Sequence, residues 1–163
     1  MAAKVDYIPY LRKMIGHSEC ISIGVSCLVL DENGRILLEK RTDNGLYCRP
    51  GGSLDMGETV TDGVKREVFE ETGIKLSQLS LFMILSGKKA QIKYPNGDIT
   101  DYVDIVFISH VNSHDIPSIK PDSESSNVAF YDINALPPKK NMLTGTYQVI
   151  AKYLDQDFEV KVD

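Results

Sequence analysis

Residues 66–73, Arg-Glu-Val-Phe-Glu-Glu-Thr-Gly, restrict the fold more than any other stretch of this 163-residue chain. They set Glu67, Glu70 and Glu71 within little more than one helical turn, where like charges repel and crowded carboxylates resist ionising together. The helix limits are written beside them: Thr59 is an N-cap with Asp62 three residues on, the capping-box arrangement, and Gly73 is a natural stop. At about 100° per residue, with Glu67 as origin, Glu70 falls near about −60° and Glu71 near about +40°. Val60, Val64 and Val68 fall at about +20°, about +60° and about +100° on the same wheel. An acidic face meant for water would lie opposite the apolar stripe, and this one overlaps it. The helix must therefore pack with its carboxylates on the rim of a core, where positive charge has to meet them. Arg66, four residues before Glu70, supplies one such charge.

The preceding segment, "GGSLDMGE", carries Gly51, Gly52 and Gly57, which let the backbone bend sharply and approach an ion or a phosphate. The Gly52–Gly57 spacing imitates a phosphate-binding P-loop, but Glu58-Thr59 follows where Lys-Ser or Lys-Thr is required, so that reading fails. Hard oxygen donors with no His or Cys among them suit Mg²⁺ or Mn²⁺, ions that complete their shell with phosphate. The acidic cluster reads as a cage for a cation that grips a polyphosphate. A net charge of −5, with no basic run, excludes a chain that coats nucleic acid or an anionic membrane, yet leaves a small phosphorylated ligand open. Cys20, Cys27 and Cys48 show no CxxC spacing and read as reduced thiols. No secretory h-region precedes the first strand, and "ISIGVSCLVL" is about half a membrane span, so the expected location is the cytoplasm.

Along the chain, "DYIPYLRKMIG" (6–16) predicts a short amphipathic helix on Ile8, Leu11, Met14 and Ile15, docked on the body or on a second subunit of a homodimer. Two β-rich runs, "CISIGVSCLVL" and "RILLEKR", join at Asn33-Gly34, whose positive φ angles suit a tight hairpin. A second hairpin turns at Asn96-Gly97. A strand follows the acidic helix around "LSLFMILSGKK", "VAFYDI" is a last strand, and residues 143–156 form a closing helix on Tyr147, Ile150, Ala151 and Leu154. With no linker or repeat, residues 1–163 read as one domain of α/β (α+β-like) class, with residues 1–17 as a helical extension.

"GGSLDMGETVTDGVKREVFEETGI" resembles the signature box of the Nudix hydrolases, with Gly52, Glu58, Arg66, Glu67, Val68, Glu70, Glu71, Gly73 and Ile74 at every fixed position. The flanks from about Ile21 to Leu136 are similar to small MutT-like members. The resemblance implies an α/β/α sandwich with a mixed central sheet and the box as a loop-helix-loop. It implies Mg²⁺-dependent hydrolysis of a nucleoside diphosphate linked to another group, whether nucleoside triphosphate clean-up or ADP-ribose and nucleotide-sugar cleavage. It further implies Glu70 and Glu71 as principal metal ligands, Glu67 as ligand or base, the Gly51 carbonyl as a backbone ligand, and Arg66 with Glu58 as the pair that orients them. Glu124 is the candidate carboxylate outside the box, as ligand or base, with Asp122 and Asp104 behind it.

The chain departs from the family pattern in places. It has no Trp before the Pro-Gly-Gly, where Tyr47 stands nearby. Arg49 occupies a usually aliphatic position and is either a phosphate clamp or solvated. Gly63 replaces a usual Ala, at a cost of up to about 1 kcal/mol in helix propensity. Tyr47, Phe82, Tyr94 and Tyr131 are candidates to stack a base or to pack the core. Lys88, Lys89 and Lys93 form a small basic patch, and Lys88 or Arg49 is the expected contact to a leaving phosphate. The competing reading is a nucleotide-binding module without turnover, which would be expected to lose box carboxylates.

Overall fold

The computed structural model describes residues 7–112, 114, 116, 119 and 123–162. Among these, the helices are α1 (Tyr7–Ile15), α2 (Val60–Thr72) and α3 (Thr144–Leu154). The strands are β1 (Cys20–Leu30), β2 (Ile36–Arg41), β3 (Tyr47–Cys48), β4 (Gly51–Ser53), β5 (Ser80–Leu85), β6 (Gln91–Lys93), β7 (Ile99–His110), β8 (Ser125–Tyr131) and β9 (Lys161–Val162). All strands join one mixed sheet, with the path β3-β2-β1-β7-β5-β9. β1 runs parallel to β7 over its full length, from Cys20 opposite Thr100 to Leu30 opposite His110. The sheet is covered on both faces, so β1 is buried continuously from Gly24 to Leu30 instead of alternating. Val25, Cys27 and Val29 face a core shared with Val64 and Val68 of α2. Leu28 and Leu30 face the opposite core, with Phe82 and with Val149 and Ile150 of α3. The architecture is the expected α/β sandwich. No helix among the described residues is long and apolar enough to cross a membrane.

The β1–β2 hairpin forms, but not as a two-residue turn with paired positive φ angles. Gly34 alone has positive φ (72°), the Gly34 N–H donates to the Asp31 carbonyl at 3.0 Å, and the Asp31 carboxylate accepts from the backbone N–H groups of Asn33 and Arg35. The buried Asp31 side chain organises the turn, and Asn33 needs no left-handed conformation. Beyond the turn the strands part, and only Leu30 and Ile36 face each other. β2 takes β8 as partner over Ile36–Arg41, while the inner edge of β1 takes β4 at Gly24–Ser26. The start of the signature segment is thereby wedged into the fork of the hairpin.

At the ends of the chain one expectation changes and one strand is added. α3 turns Gly145, Thr146, Val149 and Ile150 inward and leaves Leu154 exposed, so its buried stripe is rotated from the one read off the sequence. β9, with no signal beyond two alternating Val residues, adds in parallel to β5 at Met83 and Ile84. α1 docks on the body of the fold through Arg12, which donates to the Ile99 carbonyl and to Thr100 Oγ1, both at 3.0 Å.

Candidate active site

The wedge sets the geometry of the carboxylates. Gly51 lies so close to β1 that a Cβ would come within 2.4 Å of the Val25 carbonyl oxygen. A Cβ on Gly52 would fall 2.6 Å from the Glu67 carboxylate, so this glycine lets the side chain of α2 lie against the backbone of β4. The caps of α2 are as the sequence indicates. Asp62 N–H donates to Thr59 Oγ1 at 3.2 Å, and Gly73, at φ 75°, donates to the Phe69 carbonyl. Val64 and Val68 are fully buried, and Glu67 and Glu71 sit partly buried at the border of that stripe. Glu70 is the outer member, its side chain 50% exposed. Gly63 does more than lower helix propensity: a Cβ there would meet Leu54 Cδ1 at 2.6 Å and a Glu58 carboxylate oxygen at 3.1 Å.

Arg66 is the cation that the acidic turn requires. Its Nε and Nη2 hold both oxygens of Glu58 at 2.7 and 2.8 Å, its Nη1 reaches Glu67 at 2.7 Å and Glu70 at 3.1 Å, and Nη2 also donates to the Ser53 carbonyl. Such a bidentate fork fixes the guanidinium plane and, through it, two of the three carboxylates. Glu71 turns away from Arg66 and accepts from the Gly51 N–H at 2.8 Å. Behind it stands Glu39 of β2, a buried carboxylate that accepts from Ser125 Oγ at 2.8 Å and shares a hydrogen bond with Glu71. Nothing in the local sequence marks Glu39, which follows three apolar residues at what reads as a polar strand end. Only the pairing of β2 with both β3 and β8 buries it.

Burial, and then the charges of Glu39 and Glu67, push the Glu71 carboxyl well above its ordinary range. Burial also raises Glu67, against the downward pull of Arg66. A carboxyl that ionises less readily in the folded chain contributes stability fully below its unfolded value, here 4.5, and loses it as pH rises through its folded value. In EDTA, the unfolding free energy will therefore fall as pH rises above about 4.5, with a limiting slope of about 1.4 kcal/mol per pH unit for each proton released. Urea unfolding across that range checks this, and Glu71→Gln will flatten the fall.

The residues expected from outside the box divide. Asp104 and Glu124 both line the cleft with Glu67, Glu70 and Glu71, whereas Asp122 lies outside the described residues. Arg49 is neither solvated nor turned wholly to the cleft: its Nε reaches Ser26 Oγ at 2.9 Å, Nη1 reaches Thr146 Oγ1 at 3.1 Å, and Nη2 pairs with Asp104. Buried, it ties β1, β7 and α3 together just ahead of the signature loop. Tyr47 packs edge-on against Tyr131, with ring centroids 5.7 Å apart, and does not line the cleft. Phe82 is core. Lys88 borders a separate small hollow near Ile21, and its neighbour Lys89 lines the cleft instead. Of the aromatic candidates only Tyr94 reaches the cleft, joined by Tyr102 of β7.

The cleft, about 660 Å³, is of the size that small-molecule sites take. Glu67, Glu70, Glu71 and the backbone of Gly51 offer only hard oxygen atoms, a donor set that fits Mg²⁺ or Mn²⁺. Among the described residues, no three acidic, His or Cys side chains already surround one common point. Arg66 holds Glu67 and Glu70, and Glu71 faces the Gly51 N–H.

The family model for the NUDIX domain matches residues 21–153. A MutT-like protein of Streptomyces ambofaciens is 49% identical over 55 residues, 34% of this chain and 36% of that protein. An ADP-ribose pyrophosphatase of Methanocaldococcus jannaschii is 33% identical over 112 residues, 67% of this chain and 61% of that protein. The chain thus spans between about a third and three fifths of these relatives. Among solved structures, a MutT Nudix hydrolase from Burkholderia pseudomallei superposes with a TM-score of 0.64 at 27% identity, covering 80% of this chain and 96% of that one. With a complete signature box, carboxylates gathered at the fork of β1 and β2, and a match over most of its length, this chain belongs to the Nudix family.

Proposed function

We propose that this chain hydrolyses a pyrophosphate bond in a nucleoside diphosphate linked to a second group, with Mg²⁺ or Mn²⁺ as cofactor. The observation that carries this reading is the placement of Glu67, Glu70 and Glu71 on one rim of a cleft wide enough for a nucleotide. Glu67, Glu70, Glu71, the Gly51 carbonyl and Glu124 would hold the cation. When bound, the cation neutralises the phosphate bridge and lowers the pKa of attacking water. Glu67 or Glu124 takes the proton of the attacking water. Arg66, locked by Glu58, holds Glu67 and Glu70 at the right height on the helix. Lys89 lies on the cleft wall, where a leaving phosphate gains from a positive charge.

The names of the relatives support the class, with ADP-ribose and MutT-type nucleoside triphosphates as the leading candidates within it. Purified protein, incubated with Mg²⁺ and a panel of ADP-ribose, nucleotide sugars, 8-oxo-dGTP and dinucleoside polyphosphates, is expected to release a nucleoside monophosphate from at least one member. EDTA will stop the release. Binding of these nucleotides without any product would replace the hydrolase reading with a recognition module.

A further inference from the structure

The cleft is lined by two unlike sets of side chains. One is the acidic rim of the signature helix. The other is aromatic, formed by Tyr94 and Tyr102 of the β6–β7 hairpin, whose phenols lie 3.1 Å apart, with Tyr102 reaching Ser53 Oγ in β4 at 3.3 Å. Facing the same cleft are Tyr7, Ile8 and Pro9 of α1, a helix outside residues 21–153 that match the family.

α1 is held in this position by specific anchors. It is nine residues long with no buried member, and a helix of that length is not stable alone in water. Arg12 binds the carbonyls of Gly16 and Ser18 at 3.2 and 2.6 Å, and Ile99 and Thr100 at 3.0 Å, with Nε 3.4 Å from Asp98. At the other end the Tyr7 N–H lies 3.4 Å from the Asp55 carboxylate, which itself sits 3.6 Å from Arg66. The helix therefore bridges the β6–β7 hairpin and the signature loop, and lines the cleft together with the two tyrosines.

We propose that α1 and the Tyr94–Tyr102 pair together form the subsite for the nucleoside part of the substrate, so that the extension makes this chain select a base-bearing ligand over the same phosphate without a base. This rests on the reading above that a nucleotide occupies the cleft. The diphosphate belongs beside the carboxylates, where a cation can neutralise it, which leaves the flat apolar base to the aromatic and aliphatic side chains of the same cleft. Arg12 is a positioning residue here: it touches the hairpin and sets α1 against it.

The test uses ligands without a pyrophosphate bond, so binding is read apart from turnover. Calorimetric titration of the full chain in Mg²⁺ will show a nucleoside 5′-monophosphate bound at least about tenfold tighter than ribose 5-phosphate. Arg12→Ala, or deletion of residues 1–16 should that variant fail to fold, will shrink this preference at least about fivefold while ribose 5-phosphate affinity stays within about twofold. A wild-type chain with no preference overturns the proposal, as does an unchanged preference in the variants or an equal loss for both ligands. Failure of the hydrolysis panel with the preference intact would sink the hydrolase reading alone.

Discussion

Glu70→Gln will cut Mg²⁺-dependent turnover by at least about 100-fold, the equivalent of about 2.7 kcal/mol in barrier height, while the protein stays cooperatively folded. Two facts make this variant the cleanest probe of the acidic rim. Glu70 is the outermost of the three carboxylates, half exposed, and it is held by a 3.1 Å bond from Arg66 that an amide oxygen can still accept. Its loss removes a charge from the rim without uncovering a buried group, so stability should shift by less than about 0.5 kcal/mol. Steady-state kinetics over a range of Mg²⁺ concentrations, with urea unfolding alongside, separate the two effects. Near wild-type turnover would show that Glu70 does not hold the ion.

Arg66→Met will have the larger structural effect, a destabilisation of about 3 kcal/mol measured by urea unfolding in EDTA, together with loss of activity. One guanidinium neutralises Glu58, Glu67 and Glu70 with Asp55 nearby, and its removal leaves several partly buried carboxylates facing one another. The same logic makes the deficit sensitive to ions: Mg²⁺ will recover more stability in the variant than in the wild type, because a bound cation offsets repulsion that Arg66 normally quenches. Arg66→Lys will recover only part of the stability, since a single ammonium cannot hold both Glu58 oxygens and two further carboxylates in one plane. Equal responses to Mg²⁺ in the two proteins would mean that the ion does not bind among these side chains.

Much of the acidic helix was legible from spacing. Its caps, its buried Val stripe, the inward glutamates and the Arg66–Glu70 pair all follow from residues within one or two turns of each other, where the backbone period sets which side chains meet. Arg49, Tyr47 and Lys88 were not legible. Whether Arg49 meets water, phosphate or Asp104 depends on β7, 55 residues away along the chain. Tyr47 is drawn into Tyr131 by the pairing of β3 and β8 on either side of β2. Lys88 and Lys89 differ by one residue in a tight turn, and that difference leaves one beside the cleft and the other beside a separate hollow.

Charge spacing and helical period were thus enough to say that a cation must meet the box, because both act between near neighbours and need no knowledge of the remaining chain. The depth of Glu71 against Glu39, the fork in which β4 lodges, and the resting place of α1 came from long-range strand pairing. Register between β1 and β7, and the parting of β1 from β2, are settled by which edges are free once the sheet has assembled. No local segment carries that information.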